Sequence, residues 1–391
     1  MAVIAVLVVL GALIAKYMQG GGAAPHPQRT PPSAGQVRPA GQGQAPPAGE
    51  GPATAGLPTE PDGVIGPVLR LSVGIRLPVT GKQPSWLWPA SGRTEPIRGL
   101  PRAGTGYIFM RADGGWAVQP GAVVRPGCGG CAGPPRPVYF VADHGRSATQ
   151  VGTADAVAPA ATVGALWLTS YPPAAQPGTV AGLAREVSAS GRPLGPPLRL
   201  PDGYVIDRAT SSGLLLAPVI QRDGGSSYRL WDPATGRTGR TFAHVLAASG
   251  HAIAWSPRCA GQCQTKVLDL ASGRVTEIPL PAGESAANAV FSPDGRFLAI
   301  QVSVGSGGNG GELAMQLALA SLATGHLRLV PGTWASSDAL VGFGWPDGGN
   351  SLVAELSFTS KVQVAAWHPG AALLSVAAIG PGADPTALIL G

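Results

Sequence analysis

One turn is written seven times along this chain. It reads WPASGR (88–93), ADHGR (142–146), SASGR (188–192), DPATGR (232–237), LASGR (270–274), LATGH (322–326) and WHPGA (367–371). Each copy lies between two short apolar runs, and each sets a glycine where a hairpin needs a positive φ. From one turn glycine to the next the spacings are 53, 46, 45, 37, 52 and 45 residues. A period of about 46 residues matches one four-stranded blade of a β-propeller. Seven turns predict seven blades of four antiparallel strands, an all-β domain over residues 63–391.

The rest of that region agrees. Apolar runs such as GYIFM (106–110), ALWL (165–168) and SLVAEL (351–356) alternate with Gly, Pro, Asp and Ser clusters, without helical periodicity. The 58 glycines and 40 prolines of the 391 residues fit a protein built from turns. A second turn, FSPDG (291–295), precedes the LATGH turn. GWPDGG (344–349) and the looser WSPRC (255–259) repeat it, and each is expected to join the first two strands of a blade.

FSPDGRFLAI (291–300), with the turn that follows it, resembles the WD-repeat-like propeller units of TolB-type proteins. The resemblance covers about 63–391 and is sharp only over 256–347. A Trp-Asp pair occurs once, at Trp231-Asp232, and the Gly-His pair and structural Asp of true WD repeats do not recur in register. The resemblance therefore implies the fold and no activity. The alanine-rich chain, with only 4 lysines among 27 basic residues, also looks like exported propellers of high-GC bacteria.

Residues 2–15, AVIAVLVVLGALIA, carry no charge. As a helix they would span about 21 Å, short of the roughly 30 Å hydrocarbon core. No basic n-region precedes them, and no cysteine for lipidation occurs before Cys128. Residues 1–18 are read as a membrane anchor or signal-like helix. Residues 19–62, rich in Gly, Pro, Ala and Gln, lack the apolar surface to offset chain entropy and are expected to be a disordered stalk. The basic residues Lys16, Arg29 and Arg38 all follow the apolar run, which by charge alone argues against an exported propeller.

The four cysteines form two close pairs, Cys128/Cys131 and Cys259/Cys263. Their spacing alone would permit a four-thiolate zinc site. The repeat puts the pairs in or beside the loops between second and third strands of blades 2 and 5, three blades apart, so no shared metal is expected. Two local disulfides are expected, with free thiols the alternative. Disulfides favour an oxidising compartment, which decides for a single-pass membrane protein with its propeller outside the cytoplasm.

Catalytic signals are absent from the sequence: no GxSxG, HExxH, phosphate-loop or calcium-loop pattern occurs, and no catalytic, cofactor-binding or metal residue is assigned. The net charge of +6 falls beyond residue 62 without a nucleic-acid-binding motif, and nucleic acid is not an expected partner. Trp86, Trp88, Trp167, Trp231, Trp255 and Trp367 are expected to pack between blades. The residue after the turn glycine is Arg93, Arg146, Arg192, Arg237, Arg274 or His326 in six copies. Such a ring suits an anionic surface, but basic residues on outer strands also discourage edge-to-edge pairing. Ring closure is expected from residues 387–390 entering blade 1 as its missing strand.

The expected function is a non-catalytic, membrane-tethered binding or scaffold module for another protein or a cell-envelope polymer. The alternative is a hydrolase or lyase working at the mouth of the central channel. With strands ordered A to D from axis to rim, A–B and C–D turns share one face, and B–C and D–A loops share the other. The second face carries the long segments 118–136, 170–184, 200–212, 303–312 and 331–339. Binding residues concentrate on loops held by rigid scaffolds. Tyr171, Tyr204, Arg208, Arg222 and Trp334 are the candidate binding residues there.

Overall fold

Strands such as FLAI (297–300) are apolar at successive positions, so both of their faces must be covered. The computed structural model shows how. It describes residues 67–379 apart from 73–74, 80–82, 104–105, 122–133, 173–180, 220–226, 258–263, 282–283, 305–313, 334, 337–339, 347–350 and 358–361. The expected anchor and stalk (1–62), all four cysteines, Arg222, Trp334 and the expected closing strand at 387–390 lie outside the described residues.

The described strands form seven sheets in chain order, antiparallel but for one short added edge strand. Blade 1 holds β2 (Leu77–Val79), β3 (Ser85–Trp88) and β4 (Arg93–Pro96), after a short β1 (Leu69–Arg70). Blade 2 holds β5 (Tyr107–Ala112), β6 (Gly115–Pro120), β7 (Arg136–Ala142) and β8 (Thr149–Ala154). Blade 3 holds β9 (Ala156–Pro159), β10 (Ala165–Ser170), β11 (Leu183–Ser188) and β12 (Leu198–Arg199). Blade 4 holds β13 (Tyr204–Thr210), β14 (Gly213–Pro218), β15 (Tyr228–Asp232) and β16 (Arg237–Phe242). Blade 5 holds β17 (Val245–Ala248), β18 (Ala252–Trp255), β19 (Gln264–Asp269) and β20 (Val275–Pro279). Blade 6 holds β21 (Glu284–Phe291), β22 (Phe297–Val304), β23 (Ala314–Ser321) and β24 (Leu327–Leu329), with β25 (Ala335–Ser336) paired to β23. Blade 7 holds β26 (Leu340–Gly344), β27 (Leu352–Ser357), β28 (Val362–Trp367) and β29 (Ser375–Ile379).

Six of the seven repeated turns join the third and fourth strands of a blade, as expected, and in blade 1 the turn joins β3 and β4, the last two of its three described strands. Six of the seven turn glycines have φ between 67° and 97°; Gly145 does not. The Gly145 N–H closes its turn by donating to the Ala142 carbonyl at 2.8 Å. In blades 4 and 5 the turn is fastened by an aspartate at the end of the third strand. Asp232 accepts from the Ala234 N–H (2.9 Å) and the Thr235 hydroxyl (2.7 Å); Asp269 accepts from the Ser272 N–H (2.7 Å) and hydroxyl (2.8 Å). FSPDG and GWPDGG join first and second strands as expected. WSPRC does not: it leaves β18, the second strand of blade 5, so it opens a B–C loop. Proline and serine after a strand end mark a turn without saying which turn of the blade it is.

The core is not one cluster but seven, one per seam between neighbouring blades. Trp86, Ile97, Phe109 and Trp116 fill the seam of blades 1 and 2; Trp167, Ile206, Leu214 and Trp231 that of blades 3 and 4; Leu298 and Ile300 face Ile278 of blade 5. Ala299, between those two residues, faces Trp367 of blade 7 on the other side. Five of the six tryptophans expected between blades are buried, and Trp88 is partly buried against the seam of blades 1 and 2. The ring closes where Leu71, Leu77 and Leu87 of the first blade pack on Val353 and Val364 of the last. There β1 adds to the outer edge of blade 7, parallel to β29, with the Leu69 N–H donating to the Leu374 carbonyl at 2.8 Å. Blade 1 has three described strands, and β2 is its innermost.

Candidate binding face

The face that gathers B–C loops and D–A links carries a polar network across blades 2, 3 and 4. Its pivot is Asp155, the single residue linking β8 to β9. Asp155 donates its N–H to the Thr169 carbonyl (2.9 Å), and its carboxylate accepts the Tyr171 N–H (2.8 Å). Arg136, at the start of β7, donates to the carbonyls of Pro120 (2.8 Å) and Asp155 (3.4 Å). Tyr171, just past β10, donates its hydroxyl to the Tyr204 carbonyl at 3.5 Å, across the seam into blade 4. The Tyr204 ring lies under the Arg229 guanidinium, 4.5 Å from ring centroid to the guanidinium carbon.

These side chains are half-buried, and burial shifts the proton affinities of Asp155, Tyr171 and Arg136. It pushes the Asp155 carboxyl up, against the opposing effect of the Tyr171 N–H and Arg136. It pushes the Tyr171 phenol up to about 12, helped by the Asp155 charge, so at neutral pH this hydroxyl is a donor. Loss of water lowers the Arg136 guanidinium, and Asp155 offsets part of that.

Of the five residues expected on this face, Tyr171 and Tyr204 come together there, while Arg222 and Trp334 lie outside the described residues. Arg208 sits elsewhere. Residues 204–210, expected within a loop, are the innermost strand of blade 4, and Arg208 borders the axis. The strand carries an irregularity between Ile206 and Arg208, where Asp207 is left out of register. Asp207 is solvent-exposed, yet loss of bulk water raises its carboxyl, opposed by Arg208. Burial lowers Arg208, while Asp207 and Asp113 favour its charge. An exposed charge hemmed in by protein fits a side chain in the central channel. Among the described residues no group of three or more His, Cys, Asp or Glu is placed to hold a metal.

Asp155, Arg136 and Arg229 were not singled out in the sequence. Nothing local marks them: Asp155 sits in TADAVAP with no turn glycine, Arg136 opens β7 as Arg93 and Arg237 open their strands, and Arg229 is the second residue of β15. The rim arginines occupy the opposite face. Arg93 and Arg146 share Glu95 (3.3 and 2.9 Å), and Arg192, Arg237 and Arg274 are exposed.

No protein-family model and no curated protein matches this chain. Among solved structures it is similar to a Lactobacillus plantarum protein at 12% identity over 81% of this chain and 98% of that one, with a TM-score of 0.44. It is similar to the Dos1 propeller at 10% identity, over 80% and 86% of the two chains, with a TM-score of 0.43. A structure from a study of two prolyl endopeptidases matches at 13% identity and a TM-score of 0.44, over 80% of this chain and 50% of that one.

Proposed function

We propose that this propeller is a non-catalytic binding or scaffold module that takes its partner on the B–C/D–A face over blades 2 to 4. The observation that carries the reading is the network from Arg136 through Asp155 and Tyr171 to Tyr204 and Arg229. Half-buried tyrosine and arginine on a rigid support are the residue types that dominate binding energy at interfaces. The competing reading, an enzyme at the channel mouth, would draw on Asp207 and Asp113. Arg208 is the counter-charge of both, an arrangement suited to holding the channel together rather than to moving protons. The apolar run at 2–15 and the paired cysteines support a membrane-tethered protein with the propeller outside the cytoplasm and Cys128–Cys131 and Cys259–Cys263 bonded within pairs. Peptide mapping without reduction tests the bridges; a cross-pair link would overturn them.

The binding reading is tested by recovery of partners, protein or cell-envelope polymer, from native membranes. Tyr171→Ala combined with Arg222→Glu and Trp334→Ala should abolish recovery, whereas reversing Arg93, Arg237 and Arg274 should not. The opposite pattern would assign the site to the cationic rim. Arg208 is left intact, since reversing it beside Asp207 and Asp113 would gather three negative charges in the channel.

A further inference from the structure

Within that face, the seam of blades 3 and 4 holds a cation with no counter-charge among the described residues. Among the described residues Arg229, itself half-buried, forms no ion pair, and its buried Nε–H has no hydrogen-bond partner. Leaving a charged donor buried and unpaired is costly. The guanidinium is fixed by stacking on Tyr204, whose backbone carbonyl also takes the long 3.5 Å bond from the Tyr171 hydroxyl. A bond at that length is readily exchanged for a better acceptor. Two donors, one cationic and one a phenol kept protonated, thus flank Tyr204.

We infer that this seam binds a carboxylate of the partner, with Arg229 as the charged donor and Tyr171 as the neutral one. The inference rests on the binding-face reading and narrows it. A guanidinium suits carboxylate and phosphate alike. The surroundings distinguish them: the Asp155 carboxylate accepts the Tyr171 N–H at 2.8 Å. That carboxylate opposes a doubly charged phosphate more strongly than a singly charged carboxylate.

The test uses the full chain in detergent and a tetraglutamate peptide as probe, with tetraglutamine as its uncharged control. Tetraglutamate should bind and tetraglutamine should not. Arg229→Gln should weaken tetraglutamate binding about tenfold or more, the worth of one charge-assisted hydrogen bond. Arg229→Lys should recover part of it, and Tyr171→Phe should weaken it by a smaller factor. Arg237→Gln, on the opposite rim, should change nothing. Acetate should compete better than inorganic phosphate. Equal binding by the Arg229→Gln variant, loss of binding in the Arg237→Gln variant instead, or stronger competition by phosphate would each overturn the assignment. If Arg229→Gln does not fold, Arg229→Lys with unchanged affinity and unchanged acetate competition overturns it as well. Partner recovery that depends on Tyr171 but not on Arg229 would sink the carboxylate site while leaving the binding face in place.

Discussion

Replacing Trp86 measures what one seam contributes. The side chain is 1% exposed between blades 1 and 2, packed with Ile97, Phe109 and Trp116. Its Nε1–H donates to the Gly145 carbonyl of blade 2 at 2.9 Å, and the Arg76 guanidinium lies 4.1 Å from its ring centroid. Removing a buried tryptophan to alanine costs about 3–5 kcal/mol in transfer and cavity terms. The orphaned Gly145 carbonyl adds roughly 1 kcal/mol, so Trp86→Ala should lose about 4–6 kcal/mol. Trp86→Phe keeps an aromatic ring but loses the hydrogen bond and part of the volume, about 2–3 kcal/mol. At roughly 2 °C per kcal/mol for a large domain, the melting temperature should fall by about 4–6 °C for Phe and about 8–12 °C for Ala. Thermal melts followed by near-ultraviolet circular dichroism read this directly. A Phe variant within about 1 °C of the parent would refute the claim that Trp86 ties blade 1 to blade 2 by its indole N–H as well as by its bulk.

Two glycines of the repeated turn should separate backbone strain from steric conflict. Both have positive φ, but a Cβ on Gly236 meets nothing within 4 Å, whereas one on Gly325 would lie 2.8 Å from the Glu277 carbonyl oxygen of blade 5. Gly236→Ala should cost about 1 kcal/mol and Gly325→Ala clearly more, measured by urea unfolding. Asp232 and Asp269 are held below the ordinary aspartate value of 3.8, Asp232 first by the Thr235 hydroxyl and Asp269 first by the Ser272 N–H. A depressed folded value gives stability that is present above 3.8 and lost as pH falls through it. Asp269→Ala should therefore be less stable than the parent at neutral pH, with the gap narrowing below pH 3.8. Deleting residues 384–391 should lower stability sharply if they supply the inner neighbour of β2 in blade 1; a deletion variant as stable as the parent would refute that closure.

The blades were legible in the sequence because their signal is local. A glycine turn between two apolar runs carries its conformation in a handful of residues, and seven copies at a steady period leave little choice of architecture. What depends on distant partners was not legible. β1 is two residues long with no pattern of its own, and its partner β29 lies at the other end of the propeller. Residues 200–212 resemble a loop because Pro201-Asp202-Gly203 opens them and the out-of-register Asp207 breaks the alternation of β13. In the candidate site, Tyr171 and Tyr204 stood out as aromatic residues near loops. Asp155 did not, since its role comes only from the seam that brings β8, β9 and β10 to one point.

The most direct test of the binding face is site-resolved photo-crosslinking in native cells. A photoreactive amino acid would replace Tyr171 or Asp202 on the B–C/D–A side, or Arg237 or Arg274 on the opposite rim, one position at a time. Covalent adducts from positions 171 and 202, and none from 237 and 274, are the predicted result. Adducts from 237 and 274 alone would contradict the account and move the site to the cationic rim.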